Sequence, residues 1–341
     1  MGKYPIKHGV FQMSKQQAVP IIFNQVRQIN WPTLNQLLTA TALPIVGIVI
    51  FLGLWSLMAK NIDTSLGKFP GPEAVWQQTI VLVDEHKMQM DKADKFYERQ
   101  EQRNAARLAK DPSYGQKIRN FTGAPTFFEQ IWTSLYTVMV GFIVASLLAI
   151  PIGILCGLSK NAYTAINPLI QLFKPVSPLA WLPLVTMVVS AVYVSSDPMF
   201  SKSFITSAVT VALCCLWPTL INTAVGVSSI DKDLINVSKV LRLNGLSHVT
   251  KIVLPSSIPA IFTGLRLSLG IGWMVLIAAE MLAQNPGLGK FVWDEFQNGS
   301  SESLARIMVA VLTIGVIGFA LDRIMLALQR KFSWDKSAVL R

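Results

Sequence analysis

Charged side chains within or beside long apolar runs could contact a charged ligand, and three candidates are Lys174, Arg266 and Glu280. Ionisable groups in such runs usually face a bundle interior or a wet path. Arg266 lies about two turns from one end of its run, so it fits two interpretations: an anion contact, or a guanidinium that snorkels to the membrane surface. Lys174 opens its run and also fits a positive anchor; Glu280 would repel an anion, so a structural hydrogen bond or a gate is expected of it.

Three tryptophans share these apolar runs and could border a path between helices. Tryptophan is enriched where membrane meets water, so an interfacial position is the default for each. Trp273 is the exception, because it lies in mid-run beside Gly272, where a large ring at a helix crossing would narrow a passage. The six candidate path residues are Lys174, Trp181, Trp217, Arg266, Trp273 and Glu280.

Small residues recur at every fourth position of the run that holds Arg266, namely Gly264, Ser268 and Gly272. Such a stripe lets another helix approach closely. Packing against a neighbouring helix is the favoured interpretation, and a pore lining is the alternative.

The patterns typical of catalysis are not found in the sequence. Lys290 follows a glycine, as in a phosphate-binding loop, but Phe291 stands where that loop needs Ser or Thr. The three histidines are scattered and combine with no Ser, Cys or carboxylate into a nucleophilic or metal arrangement. Cys156, Cys214 and Cys215 lie in apolar runs and behave as small hydrophobes. We therefore predict a chain that is not an enzyme and binds no metal, cofactor or ATP itself.

The composition indicates a membrane protein. Of 341 residues, 52% are hydrophobic and 14% charged, whereas soluble domains carry about 25% charged residues. The net charge of +11 does not indicate nucleic acid, because the basic residues cluster at the ends of apolar runs and form no face interleaved with aromatics.

Six apolar runs are long enough to cross a bilayer. They cover residues 39–59, 131–159, 175–196, 204–229, 260–282 and 304–328. The predicted fold class is an all-α, polytopic transmembrane bundle of six spans. The two halves show no internal repeat, which argues against a secondary transporter built from inverted repeats.

Charge bias predicts the orientation of the spans. Residues 1–38 contain four basic residues and no acid, and the tail 330–341 is also basic, so both termini are expected in the cytoplasm. The segment 60–130 has nearly balanced charges and a helical pattern over 84–110, typical of a periplasmic insertion. A five-span core, 131–329, then holds a cytoplasmic loop at 229–259.

That loop, 229–259, is predicted to form a polar helical hairpin. Ser228 with Asp231 suggests the start of a short amphipathic helix, and Asn244-Gly245 suggests its end. Ser247 is expected to cap a second short helix that Pro255 interrupts before the chain re-enters the membrane.

The loop ends in Ile252-Val253-Leu254-Pro255 and resembles the cytoplasmic "EAA" loop of ABC-type import permeases, whose pattern runs from Glu-Ala-Ala through a Gly to Ile-x-Leu-Pro. Aligned on that tail, the Gly falls on Arg242 and the Glu-Ala-Ala on 236–238, which here read Asn-Val-Ser. The tail matches and the head does not. The resemblance assigns contact with the ATPase to Leu234, Asn236, Val237, Ser238, Leu241, Arg242, Gly245 and Pro255.

Two further stretches, 173–183 and 278–289, are similar to the nitrate, sulfonate, taurine and bicarbonate branch of these permeases, and in particular to its nitrate subunits. The resemblance covers roughly residues 125–328. It implies a type I importer permease that moves a small anion by alternating access, nitrate or nitrite first, with bicarbonate, cyanate and small sulfonates as alternatives.

The resemblance also implies partners: two ABC ATPase subunits that bind ATP and Mg, a second copy of this chain, and a periplasmic or lipid-anchored solute-binding protein. Membrane lipid surrounds such a subunit and nucleic acid does not bind it. Two other classes stay open, a channel or secondary anion carrier that needs no ATPase, and a membrane anchor or sensor. The capped hairpin argues against the first, and the low apolar content of 60–130 argues against the second.

Overall fold

The computed structural model describes residues 34–64, 67–116, 118–194, 199–300 and 302–332, with side chains from residue 42 onward. In chain order the helices are α1 (Leu34–Asn61), α2 (Pro72–Leu108), α3 (Phe127–Leu158), α4 (Lys160–Phe173), α5 (Pro178–Val192), α6 (Lys202–Ser228), α7 (Lys232–Val240), α8 (Gly245–His248), α9 (Leu254–Ala283), α10 (Leu288–Asn298) and α11 (Ser303–Phe332). A two-residue antiparallel pair, β1 (Asp63–Thr64) and β2 (Gly67–Lys68), follows α1. A π-helical turn, Val249–Val253, joins α8 to α9.

The described residues divide into two compact units, one up to Met58 and one from Ala59 onward. Helix α1 is longer than the predicted span 39–59 and contains Pro44. The predicted cytoplasmic tails, 1–38 and 330–341, lie mostly outside the described residues.

The insertion is a long helix that begins earlier than predicted. Its charged pattern indicated a start near Asp84, but α2 starts at Pro72. Proline suits the first helical turn because its missing N–H has no partner to lose there. Val75 and Leu82 are buried, 5% and 2% exposed, so the first part of α2 packs on the bundle even though the segment is polar overall.

The second span begins at a capping box that the sequence analysis overlooked. Thr126 accepts a hydrogen bond from the Glu129 N–H, and the Glu129 carboxylate accepts one from the Thr126 N–H at 2.7 Å. The helix therefore starts at Phe127 and not at residue 131. On the α2 side, His86 Nδ1 lies 2.9 Å from Thr126 Oγ1.

Helices α3, α6 and α9 form the centre of the bundle through close backbone approach. A Cβ on Gly141 of α3 would lie 2.6 Å from the Ala208 carbonyl oxygen of α6, and one on Gly153 would lie 2.8 Å from the Leu220 oxygen. The residue numbers of the contacting positions increase in the same direction along both helices, so α3 and α6 run parallel. The stripe of α9 packs on α6 in the antiparallel sense: Ser268 Oγ lies 2.7 Å from Thr219 Oγ1. The packing interpretation of this stripe is thus confirmed.

The third span is split. The predicted single run, 175–196, contains only the 15-residue α5, which is about 22 Å long and too short to cross the hydrocarbon core. Together, helices α4 and α5 are long and apolar enough to cross a membrane, but a bend of 101° separates them. The break falls at Lys174–Ser177, where Pro175 and Pro178 prevent continuous helical hydrogen bonding.

The predicted fold class, an all-α polytopic bundle, is confirmed. Within the described residues, five helices are long and apolar enough to span a membrane, and the bent pair makes a sixth. Because α3 and α6 run parallel and α9 antiparallel, α7 and α8 lie at one end of the bundle, called here the hairpin end. The opposite end, called the insertion end, carries α2, α10 and the start of α11.

Candidate functional site

The first arm of the hairpin is α7, which starts three residues later than predicted. Ser228, the predicted N-cap, is the last residue of α6, and its hydroxyl donates to the Val225 carbonyl at 3.0 Å. Asp231 is the N-cap, and its carboxylate accepts from the Asp233 N–H at 2.9 Å. A carboxylate here both satisfies a free N–H and complements the helix dipole.

The end of α7 is a Schellman motif centred on Arg242, not the predicted Asn244-Gly245. The Leu243 N–H donates to the Ser238 oxygen at 3.1 Å and the Arg242 N–H to the Lys239 oxygen at 3.1 Å. Arg242 has φ of 49°, the left-handed conformation that glycine usually supplies at this position. Arg242 is also where the family pattern has its Gly, so this chain keeps the backbone turn of the pattern with a different side chain.

Replacing Arg242 with glycine is expected to stabilise the hairpin, by up to about 1 kcal/mol, because a non-glycine residue in the left-handed region is strained. Arg242→Val should destabilise it by a similar amount, since a β-branched side chain fits that region poorly. Hydrogen–deuterium exchange of residues 231–254 in the purified chain measures both effects. Equal exchange in the two variants would contradict the strained turn.

The second arm starts and ends differently from the prediction. Asn244 caps α8 by accepting from the Ser247 N–H at 2.7 Å, so Ser247 is not the cap. Pro255 does not end the helical run, because the chain stays helical from Gly245 to Ala283, with the π-helical turn Val249–Val253 just before the proline.

The two arms are joined by a buried polar contact. Ser238 Oγ lies 2.7 Å from His248 Nδ1, and Ser238 is 5% exposed. Its side chain thus faces the interior of the hairpin. Six of the other predicted coupling residues are exposed, and Pro255 is half-buried; the exposed ones are Leu234, Asn236, Val237, Leu241, Arg242 and Gly245.

Large apolar side chains lie open on the hairpin, and we call this set the hairpin apolar surface: Leu234, Val237, Val240, Leu241 and Leu246. Val240 and Leu246 are the most exposed, at 81% and 77%, and the sequence analysis did not select them. An apolar patch among polar neighbours is typical of a protein contact. Leu246 was missed because it belongs to the second arm. Helical periodicity within one arm does not show how the two arms approach each other.

Arg266 is neutralised by a carboxylate of another helix. Its Nε donates to Asp322 Oδ1 of α11 at 2.5 Å, and its Nη2 donates to Oδ2 at 3.0 Å. This two-pronged pairing is the strong arrangement for a guanidinium and a carboxylate. Neither interpretation from the sequence, an anion contact or snorkelling, included this partner, because nothing in the sequence aligns the two residues.

Glu280 is the centre of a buried polar cluster at the insertion end. It is 0% exposed, and its carboxylate accepts from Ser134 Oγ of α3 at 2.8 Å and from the Gly289 N–H of α10 at 3.0 Å. Ser134 Oγ in turn accepts from the Leu288 N–H at 2.9 Å. The structural hydrogen bond expected of Glu280 is present, and it ties α3, α9 and α10 together.

Two glycines complete this cluster and explain part of the stretch 278–289. A Cβ on Gly287 would overlap the Glu280 carboxylate, and a Cβ on Gly289 would overlap the Ile277 carbonyl oxygen. Asn285, which is 1% exposed, donates to Thr137 Oγ1 at 3.3 Å. The turn between α9 and α10 is therefore fitted around one carboxylate.

The remaining candidate path residues lie elsewhere. Trp273 is 4% exposed and donates from Nε1 to the Ile314 oxygen of α11 at 2.9 Å, so it fastens two helices. Trp181 and Trp217 both contact the Phe173 ring, with centroid separations of 5.7 and 6.2 Å, and exposed Lys174 follows at the α4–α5 break. Lys174, Trp181 and Trp217 thus lie near the α4–α5 break, whereas Arg266, Trp273 and Glu280 are spread along α9. The structure does not bring the six residues into one site.

Comparison with known proteins places the chain in a family. Residues 149–334 match the model of the binding-protein-dependent transport system inner membrane component. The nitrate import permease protein NrtB of Leptolyngbya laminosa is 36% identical over 198 residues, 58% of this chain and 66% of the relative. The bicarbonate transport system permease protein CmpB of Synechocystis sp. is 33% identical over 288 residues, 84% of this chain and 87% of the relative.

The match to the first of these relatives thus spans just under two thirds of its length. Among solved structures, an inward-facing form of the MetNI methionine ABC transporter has a TM-score of 0.48 at 18% identity, covering 59% of this chain and 95% of that chain. The family match covers more than half of the chain, and the CmpB alignment covers most of both proteins. The chain therefore belongs to the family of binding-protein-dependent transport system inner membrane components.

Proposed function

We propose that this chain is the membrane-spanning permease subunit of an ATP-driven importer for a small inorganic anion, with nitrate as the first candidate. It provides the translocation path and hydrolyses no ATP. Two ATPase subunits bind ATP and Mg and act on the hairpin, while a second copy of the chain completes the path. A solute-binding protein delivers the anion at the insertion end, and the termini lie in the cytoplasm.

The observation that carries the proposal is the hairpin apolar surface at one end of the bundle. Its two arms are fixed to each other by Ser238 and His248, and the second arm continues without a break into α9. A push on the hairpin would therefore move α9, which packs along both α6 and α11. This continuity supports alternating access driven by a partner at the hairpin end.

Two substrates are supported by specific relatives. Nitrate import permeases from three organisms are 36–37% identical to this chain, and a bicarbonate permease aligns over a longer part of it. Both ligands are small monovalent oxyanions. Since Arg266 is paired with Asp322, we propose that the path makes weak contacts with the anion in transit and that the binding protein sets selectivity.

Replacing Val237 with aspartate is expected to weaken association with the ATPase at least about tenfold, because an ionised group would be desolvated in an apolar contact. Val237 is 47% exposed on α7, so the variant should insert and fold normally. Binding of the ATPase subunit and anion-stimulated ATP hydrolysis measure the effect.

Lys232→Asp is the matched control, since it adds the same side chain to the first turn of α7, where an acid suits the helix dipole. Normal coupling by Val237→Asp would remove the main support for an importer. Transport of labelled nitrate and of labelled bicarbonate into vesicles containing all partner subunits decides between the two substrates.

A further inference from the structure

The far part of the insertion encloses a polar cavity of about 290 Å³. It is lined by Phe96, Gln100, Arg103, Asn104, Arg107, Tyr114 and Arg119. These residues precede residue 149, where the family match begins, and the proposed import mechanism does not use them.

The cavity forms because the chain that leaves α2 folds back and is fastened to it. Gln100, which is 8% exposed, accepts from the Arg119 N–H at 2.8 Å and donates to the Arg119 oxygen at 3.3 Å. Two residues on, the Phe121 N–H donates to Tyr97 Oη at 3.1 Å. This fastening brings Arg119 next to arginines on successive turns of α2.

Arg103 and Arg107 are each held by a neutral hydrogen-bond partner. Arg103 Nε donates to the Arg99 oxygen at 3.1 Å, and Arg107 Nη1 donates to Tyr114 Oη at 2.9 Å. The Arg107 guanidinium also lies 5.5 Å from the centre of the Tyr114 ring. A guanidinium has five N–H donors, so Arg103 and Arg107 each keep donors for a ligand.

In the described parts of the chain, Arg103, Arg107 and Arg119 form no ion pair with a carboxylate within 4.0 Å. Asp111, in the adjoining turn, accepts instead from the Ser113 N–H at 3.0 Å and from Ser113 Oγ at 2.6 Å, and these bonds lower the pKa of its carboxyl. Like charges four residues apart on a helix repel each other, so an anion in the cavity would be stabilising.

We propose that this cavity binds a multiply charged oxyanion of the phosphate or sulfate class. Guanidinium groups bind such anions in two-pronged fashion, and three arginines lining one cavity suit a multiply charged ligand better than monovalent nitrate or bicarbonate. The oxyanion has two possible sources, a free inorganic ion or the headgroup of an anionic phospholipid.

The test uses the full chain in a sugar-based detergent, which contains no phosphate. Titration calorimetry with inorganic phosphate, at constant ionic strength set by chloride, is expected to detect binding. Arg103→Gln combined with Arg119→Gln should weaken that binding at least about tenfold, because charge-assisted hydrogen bonds are lost. Arg103→Lys should retain part of the affinity, since the charge remains without the planar fork.

Lys92→Gln is the matched control, because it removes one positive charge from the same helix at an exposed position outside the cavity. Retention of phosphatidylglycerol, measured by mass spectrometry, separates the two sources: lipid that the unmodified chain keeps and the double variant loses identifies a headgroup. Phosphate bound without lipid retention identifies a free ion. Failure to bind either ligand, or equal binding by the double variant and the control, would overturn the proposal.

Discussion

The purified chain carrying Arg266→Met is expected to be about 1–2 kcal/mol less stable to unfolding than the unmodified chain, because the partly exposed Asp322 carboxylate would lose its two-pronged partner. The pair is bidentate, with separations of 2.5 and 3.0 Å. Adding Asp322→Leu should recover most of the loss, since replacing both members of such a pair by apolar side chains is often neutral. Thermal unfolding in mild detergent measures all three variants.

The double variant also distinguishes two roles for Arg266. If the arginine is structural, the double variant should fold and transport the anion. A double variant that folds and assembles but does not transport would instead give Arg266 a direct role toward the anion. Arg323→Met is the matched control on α11: its guanidinium lies 4.9 Å from the centre of the Phe319 ring, and its loss should change stability by less than about 0.5 kcal/mol.

Helix α9 and the ion pair of its Arg266 show what could be predicted from the sequence and what could not. The apolar run and its small-residue stripe follow from composition and from the spacing of Gly264 and Ser268, so a long apolar helix packed closely on a neighbour was correctly predicted. Asp322 is 56 residues away from Arg266. That pairing depends on the register of α9 against α11, and the register is determined by packing between helices that no local pattern encodes.

The hairpin shows the same division on a smaller scale. Its position, its amphipathic first arm and Leu234, Val237 and Leu241 on one side follow from local periodicity. Its turn does not, because Asn244-Gly245 is a common helix end and Arg242 is an unfavourable one. The backbone conformation at Arg242 was accessible only through the family pattern, which places its Gly there.

The bend between α4 and α5 was only partly predictable. The sequence has Pro175, Pro178 and Pro183 in this region, but proline alone does not say whether a helix kinks or separates into two. The separation is supported by packing: Ile170 of α4 is 2% exposed beside Leu220 of α6. Burial of this apolar residue gives α4 a place in the core that its mixed composition did not indicate.

Glu280→Ala is expected to destabilise the insertion end by about 3–5 kcal/mol, since it leaves buried donors unpaired and a space where the carboxylate lay. The unpaired donors would be Ser134 Oγ and the Gly289 N–H. Leu282→Ala, on the same helix and 50% exposed, is the control and should change stability by less than about 0.5 kcal/mol. Hydrogen–deuterium exchange of residues 284–298 should increase in the first variant and not in the second.

A double-mutant cycle tests whether the carboxylate is what the turn is fitted around. Gly287→Ala alone should cost about 3 kcal/mol, because its methyl group would occupy the position of the Glu280 carboxylate. In the Glu280→Ala background that position is vacant, so the second substitution should cost less, with a coupling of about 1–3 kcal/mol. Additive costs would mean that the two residues do not meet. A coupled result would mean that the Glu280 carboxylate fixes the turn between α9 and α10.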